Sequence, residues 1–254
     1  MSSVPILMYH HVLPEAGFIS SSVEQFRAQM ELLVEHGWQT LDSATFRAYK
    51  LHGAAVPQRS LLITFDDGWR DNYVYAYPIL KALGLRATLF VVTGWIDAAS
   101  RAPAPYQPRT HKECKRLAPG APREVLLNWD ELQTMRDVFD IHPHTHTHRD
   151  DYFGRLPWEE DILRSRERLQ TQLGIDSPQL CWPRGVHDAQ LVALAERLGF
   201  DMLYTTLRGA NSADGRGDSL RRLAAKDGAS WLRRNLWIAR HATLARLYAR
   251  MKPE

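Results

Sequence analysis

Cysteine is scarce in this chain: 254 residues contain only Cys114 and Cys181. Neither sits in a CxxC or zinc-ribbon spacing, which argues against a disulfide framework and a cysteine-ligated metal and is compatible with a reducing compartment. An excess of one charge sign is missing too, since 32 Lys+Arg against 29 Asp+Glu leave only +3. That is too little to make nucleic acid the default partner, although the last twenty-odd residues are distinctly basic. No run approaches the roughly 20 apolar residues that span a bilayer. The stretch from Met1 to His10 has no positive n-region, too short an apolar run for a signal h-region and no small-residue cleavage site. It reads as a first strand, and a soluble cytoplasmic protein is the expectation.

Hydrophobic residues make up 44% of the chain, enough for a sizeable core in either one α/β barrel or two small domains. Short apolar runs at Ile6 to Tyr9, Leu61 to Phe65, Ala87 to Val92, Val138 to Ile141, Leu180 to Trp182 and Met202 to Thr205 read as strands. They alternate with amphipathic segments, the pattern of parallel α/β architecture. Ser22 and Gln25 form a capping box for a helix carrying Phe26, Met30 and Leu33 on one face, with Gly37 just past its end. Asn128 and Glu131 form a second box. Pro157 with Glu159 and Glu160 opens a helix closed near Gly174, and Asp188 and Gly199 bracket another.

Residues 98–124 break this rhythm with five prolines and many basic residues, and they read as a long loop, either a lid or binding loop or a surface excursion. No linker divides the chain, so one domain over 1–254 is expected. Near the C-terminus, Leu232, Leu236, Leu247 and Met251 recur at helical spacing among arginines. This predicts a basic amphipathic helix at about 230–252, either an outer barrel helix or, more sharply, a peripheral contact with an anionic membrane.

The chemistry concentrates in Thr64-Phe65-Asp66-Asp67-Gly68, where two adjacent carboxylates end the apolar run Leu61-Leu62-Ile63. Two like charges side by side are costly unless a cation or proton is shared. An Asp-Asp-Gly turn merely closing a strand is the bland reading. Against it stands the run His144-Thr145-His146-Thr147-His148, whose imidazoles would complete a metal site with one carboxylate. Along a continuing strand Asp66 and Asp67 face opposite ways, so one binds metal and the other handles a proton. His10, the Asp pair, the histidine pair and Arg184 each follow a different apolar strand, and in parallel barrels such strand ends converge on one face.

These stretches resemble the first two motifs of the polysaccharide deacetylase family, the NodB-homology carbohydrate esterases. Cys181-Trp182-Pro183-Arg184-Gly185 is similar to the family's aromatic-Pro-Tyr-Gly segment, with Arg184 where Tyr is usual, and Met8-Tyr9-His10-His11-Val12 resembles the opening of its permuted poly-N-acetylglucosamine deacetylase branch. The resemblance runs from about residue 4 to residue 206. It implies a single distorted (β/α) barrel of about seven parallel strands and a hydrolase that removes an N-acetyl group from an amino sugar, releasing acetate. By resemblance Asp67, His144 and His148 hold one divalent ion, Zn²⁺ foremost, with Co²⁺, Ni²⁺ or Fe²⁺ fitting the same set. Asp66 is the general base, and the Arg184 backbone N–H donates to the oxyanion.

His10 is expected to be the general acid, because the leaving nitrogen needs a proton and an imidazole donates near pH 7. His11 then points away, and His146, between the ligands, points elsewhere. The Arg184 side chain, Trp69 and Trp182 are candidate substrate contacts, the first for an anionic group and the other two for stacking on a sugar ring, as Trp95, Tyr152 and Trp158 could also do. The expected substrate is an N-acetylated amino-sugar glycan or a lipid-linked or lipopolysaccharide-core precursor, met at the inner face of the membrane. Other readings are an amide or O-acetyl ester hydrolase on the same scaffold, a non-haem iron oxygenase, whose usual His-x-Asp pairing is missing, and a catalytically silent glycan-binding module.

Overall fold

The computed structural model of the chain describes residues 3–150, 154–225 and 228–240. Six strands coincide with the six apolar runs: β1 (Val4–Tyr9), β2 (Ser60–Phe65), β3 (Ala87–Val91), β4 (Phe139–Pro143), β5 (Gln179–Cys181) and β6 (Met202–Arg208). A seventh, β7 (Leu220–Ala224), carries two arginines in five residues and has no apolar run to betray it. The seven pair in the order β4-β3-β2-β1-β7-β6-β5, every neighbour parallel. Strands β1 and β2 are buried along their whole length, as parallel strands covered on both faces must be.

No ladder joins β4 to β5 among the described residues, so the barrel has a seam there. Side chains bridge it. His144, just past β4, reaches the Cys181 carbonyl at 2.8 Å, and His142 of β4 reaches Ser177 Oγ, just ahead of β5, at 2.7 Å. A histidine expected from its chemistry therefore also closes the fold.

The helices begin and end where their caps predict. Ser22 and Gln25 form a reciprocal box ahead of the helix Val23–Glu35, which buries Phe26, Met30 and Leu33. Asn128 and Glu131 do the same for Trp129–Met135. The helix Trp158–Leu173 stops at left-handed Gly174, and Asp188 caps Ala189–Arg197. The C-terminal helix is described over Ala229–Arg240. The rest of the segment expected to 252 lies outside the described residues.

The reading of 98–124 as a loop is corrected. It contains the helix His111–Leu117, opened by a Thr110/Glu113 capping box, and the short helix Pro122–Val125. Proline at the first position of a helix opens it instead of breaking it, which is why the proline content misled. The segment is bolted to the barrel. Arg70 donates from Nη1 to the Ala104 and Arg123 carbonyls, both at 2.9 Å, and Cys114, Ala118, Val125 and Leu126 bury against Trp69 and Trp95.

Candidate active site

The expected residues meet at the C-terminal ends of the strands: His10 after β1, Asp66 and Asp67 after β2, His144 and His148 after β4, and Arg184 after β5. The two carboxylates do address different partners. Just past the strand, Asp67 takes a left-handed conformation, φ 79°, so the chain turns there and the second carboxylate faces the histidine loop. Gly68 follows at φ 90°, where a Cβ would sit 3.1 Å from Ile96 Cδ1.

Asp67 Oδ1 lies 3.5 Å from His144 Nε2 and 3.4 Å from His148 Nε2. Three atoms at about 2.0–2.2 Å from one tetrahedral centre would lie about 3.4 Å apart, so the donor set has the spacing of a divalent-metal site. Its outer partners fix the correct faces. A carbonyl can only accept, so His144 Nδ1 carries the proton in its bond to the Cys181 carbonyl, and Nε2 presents a lone pair inward. His148 Nδ1 is held in the same way by Asp150 Oδ2 at 3.0 Å. The Trp69 indole N–H donates to Asp67 Oδ2 at 2.8 Å, leaving Oδ1 for the imidazoles. Burial pushes the Asp67 carboxyl upward, but His144, His148 and His10 prevail and hold it well below the usual carboxylate range.

The histidine loop needs its own anchor, because Thr145 and His148 are also left-handed, at φ 62° and 55°. Asp161, in the first turn of the helix Trp158–Leu173, supplies it. Its buried carboxylate accepts the His146 and Thr147 amides at 2.8 and 2.7 Å and the Thr147 hydroxyl at 2.8 Å.

Asp66 is held apart by Arg222 of β7. Nη1 and Nη2 donate to its two oxygens at 2.7 and 2.8 Å, and both residues are buried. Burial alone would raise the Asp66 pKa, yet the guanidinium outweighs it and keeps the carboxyl below its ordinary value. His10 Nε2 lies 3.9 Å from Asp66 Oδ2, too far for a hydrogen bond and near enough to flank the same reacting group. Burial depresses the His10 pKa, while Asp66 and Asp67 pull it up. A second group, Asp66 with His144 and Cys181, could also gather around an ion. The Arg222 pair on Asp66 and a Cys181 thiol pushed up by burial make it the poorer site.

His11 and His146 point away from this centre. His11 is buried against Asp71 at 2.8 Å, and His146 Nδ1 meets Thr93 Oγ1 at 2.9 Å. Three substrate-contact expectations change. Trp69 is 1% exposed and Trp182 0%, so neither indole face can stack on a sugar; Trp69 serves Asp67, and Trp182 packs against Trp158. The Arg184 guanidinium, expected free for an anion, pairs instead with Asp150, the carboxylate that holds His148. Tyr152 lies outside the described residues. Sequence reading missed Arg222, Asp150 and Asp161. The only signal was alternation in β7, which sends Arg221 out and Arg222 in.

The family model described as polysaccharide deacetylase matches residues 53–203. The chain belongs to that family, a class of hydrolases that remove acetyl groups from sugar polymers. It is 26% identical to the putative polysaccharide deacetylase YxkH of Bacillus subtilis over 90% of this chain and 74% of that one. It is 24% identical to the poly-β-1,6-N-acetyl-D-glucosamine N-deacetylase of Escherichia coli over 82% of this chain, but it spans only 34% of that protein's length. In three dimensions it resembles the Streptococcus pyogenes deacetylase PplD (TM-score 0.75, 23% identity, 94% of this chain and 98% of that one) and IcaB from Ammonifex degensii (0.73, 19%, 95% and 98%).

Proposed function

We propose that this protein, as one domain, hydrolyses the N-acetyl group of amino sugars in a glycan of the poly-N-acetylglucosamine type or its lipid-linked precursor, with Zn²⁺ held by Asp67, His144 and His148. The observation that carries this reading is the division of labour between adjacent carboxylates, Asp67 turned to two imidazoles and Asp66 to an arginine. A bound divalent cation in such a ligand set polarises the acetamide carbonyl and lowers the pKa of water toward 7.

The protein's own residues do the rest. Asp66, kept ionised by Arg222, accepts the proton of the attacking water. His10 delivers a proton to the sugar nitrogen, without which an amine anion would have to leave. The kinked backbone at Arg184, φ 57°, offers its N–H to the oxyanion that develops on the carbonyl oxygen as water adds to the carbon. Asp150 and the Cys181 carbonyl orient the two imidazoles, so little reorganisation is left for the reaction itself. Both halves of this arrangement argue for a working hydrolase over a silent binding module.

The test is acetate release from N-acetylglucosamine oligomers by metal-loaded protein, with the oligomer's mass falling by one acetyl group per acetate. Release of no acetate, or release only from O-acetyl esters, would overturn the reading.

A further inference from the structure

A cleft of about 540 Å³ opens between residues 13–20 and 108–113, within the range of small-molecule pockets. Both walls stand on the catalytic face, the first following His10 and His11 after β1, the second belonging to the segment that follows β3. A short chain of contacts ties the cleft to the centre. His111, in its lining, sits with Nδ1 3.1 Å from His11 Nε2. The His11 ring stacks on Trp69 at 4.7 Å, and Trp69 donates to Asp67.

Phe18, also in the lining, is 84% exposed, more than any other large hydrophobic residue among those described. Around it the surface alternates Leu13 and Pro14 with Glu15 and Lys112. A fully apolar occupant such as an acyl chain would leave those charges desolvated and unpaired. A pyranose suits both, with a C–H face for the phenyl ring and hydroxyls at its edge for the carboxylate and ammonium groups.

We propose that this cleft binds the sugar unit adjoining the one being deacetylated, with Phe18 as its stacking platform and Glu15 as a hydrogen-bonding partner. The proposal rests on the amino-sugar polymer reading above and explains where a substrate longer than one unit lies once Trp69 and Trp182 are buried. The occupied cleft would fix which unit of a chain reaches Asp66.

The experiment compares wild type, Phe18→Ala, Phe18→Trp and Glu15→Gln on N-acetylglucosamine and on its β-1,6-linked pentamer, mapping the deacetylated unit by mass spectrometry. Phe18→Ala should lose about tenfold in kcat/KM on the pentamer and less than twofold on the monosaccharide. Phe18→Trp should restore the pentamer rate, Glu15→Gln should weaken it selectively, and Phe18→Ala should spread the deacetylated position along the chain. Equal losses on both substrates, or an unchanged pentamer rate, would overturn the cleft. Calorimetric binding of the pentamer separates the two levels. If wild type releases no acetate, the activity reading fails, while weaker pentamer binding by Phe18→Ala still supports the cleft and equal binding refutes it.

Discussion

Arg222 and Asp66, 156 residues apart in the chain, meet in a two-pronged ion pair with N···O distances of 2.7 and 2.8 Å, both side chains buried. The pair holds a carboxylate ionised in a place where burial would protonate it.

Arg222→Met should therefore destabilise the protein by about 3–5 kcal/mol, because it leaves one buried charge without its partner. Adding Asp66→Asn should recover much of that loss. Urea unfolding of wild type and the two variants checks it. The sign of the pH effect also follows. In wild type the Asp66 pKa is lowered, so the ionised base persists as pH falls. Without the guanidinium, burial prevails, the pKa rises, and the acid limb of kcat/KM should move to higher pH. An unmoved limb would mean that Asp66 is not the base.

Metal content should separate the neighbours. Asp67→Asn, His144→Ala and His148→Ala should lose the bound divalent metal by elemental analysis, while Asp66→Asn and His146→Ala keep it. Asp66→Asn should nonetheless lose most activity, because an amide cannot take the proton of water.

Asp150→Asn tests the outer shell of the same site. Its carboxylate fixes the His148 ring through Nδ1, and losses of about 10- to 100-fold in metal affinity follow removal of such partners. Competition against a chelator measures it. Affinity equal to wild type would show that His148 is oriented by the loop alone.

His10→Ala should abolish deacetylation of N-acetyl sugars yet spare much of the cleavage of phenyl acetate, whose phenolate leaves without a proton. His11→Ala should not show that selectivity, since His11 faces Asp71 and His111. The reverse pattern would exchange the two histidines.

His111 gives a stability prediction. Burial, with a contribution from His11, pushes its pKa down to about 4 from the ordinary 6.5. The unfolded chain thus takes up a proton below pH 6.5 that the folded protein resists until about pH 4. Stability carried by the neutral ring is full above 6.5 and declines as pH falls through that window. His111→Asn should make the loss of unfolding free energy between pH 6.5 and 4 shallower by up to one proton's slope, read by urea titrations at each pH. An identical slope would place His111 in solvent.

Much of this was legible along the chain. Parallel strands covered on both faces must be apolar almost throughout, so β1 to β6 announce themselves as short runs, and helix caps are local chemistry that Ser22, Asn128 and Asp188 carry wherever the chain goes. Asp67, His144 and His148 were legible because a metal site demands particular residue types, and Asp66 because a second carboxylate beside a ligand needs a role of its own. What the sequence left open were the pairings across long separations and the direction of each side chain. No pattern of residues 220–224 says that Arg222 will face Asp66, nor that Arg184 will turn to Asp150. That the indoles of Trp69 and Trp182 are sealed from solvent is likewise a matter of packing. Local propensity and periodicity act over a few residues, whereas these partners are chosen by barrel closure, which decides which strand ends become neighbours and which side chains lose their water.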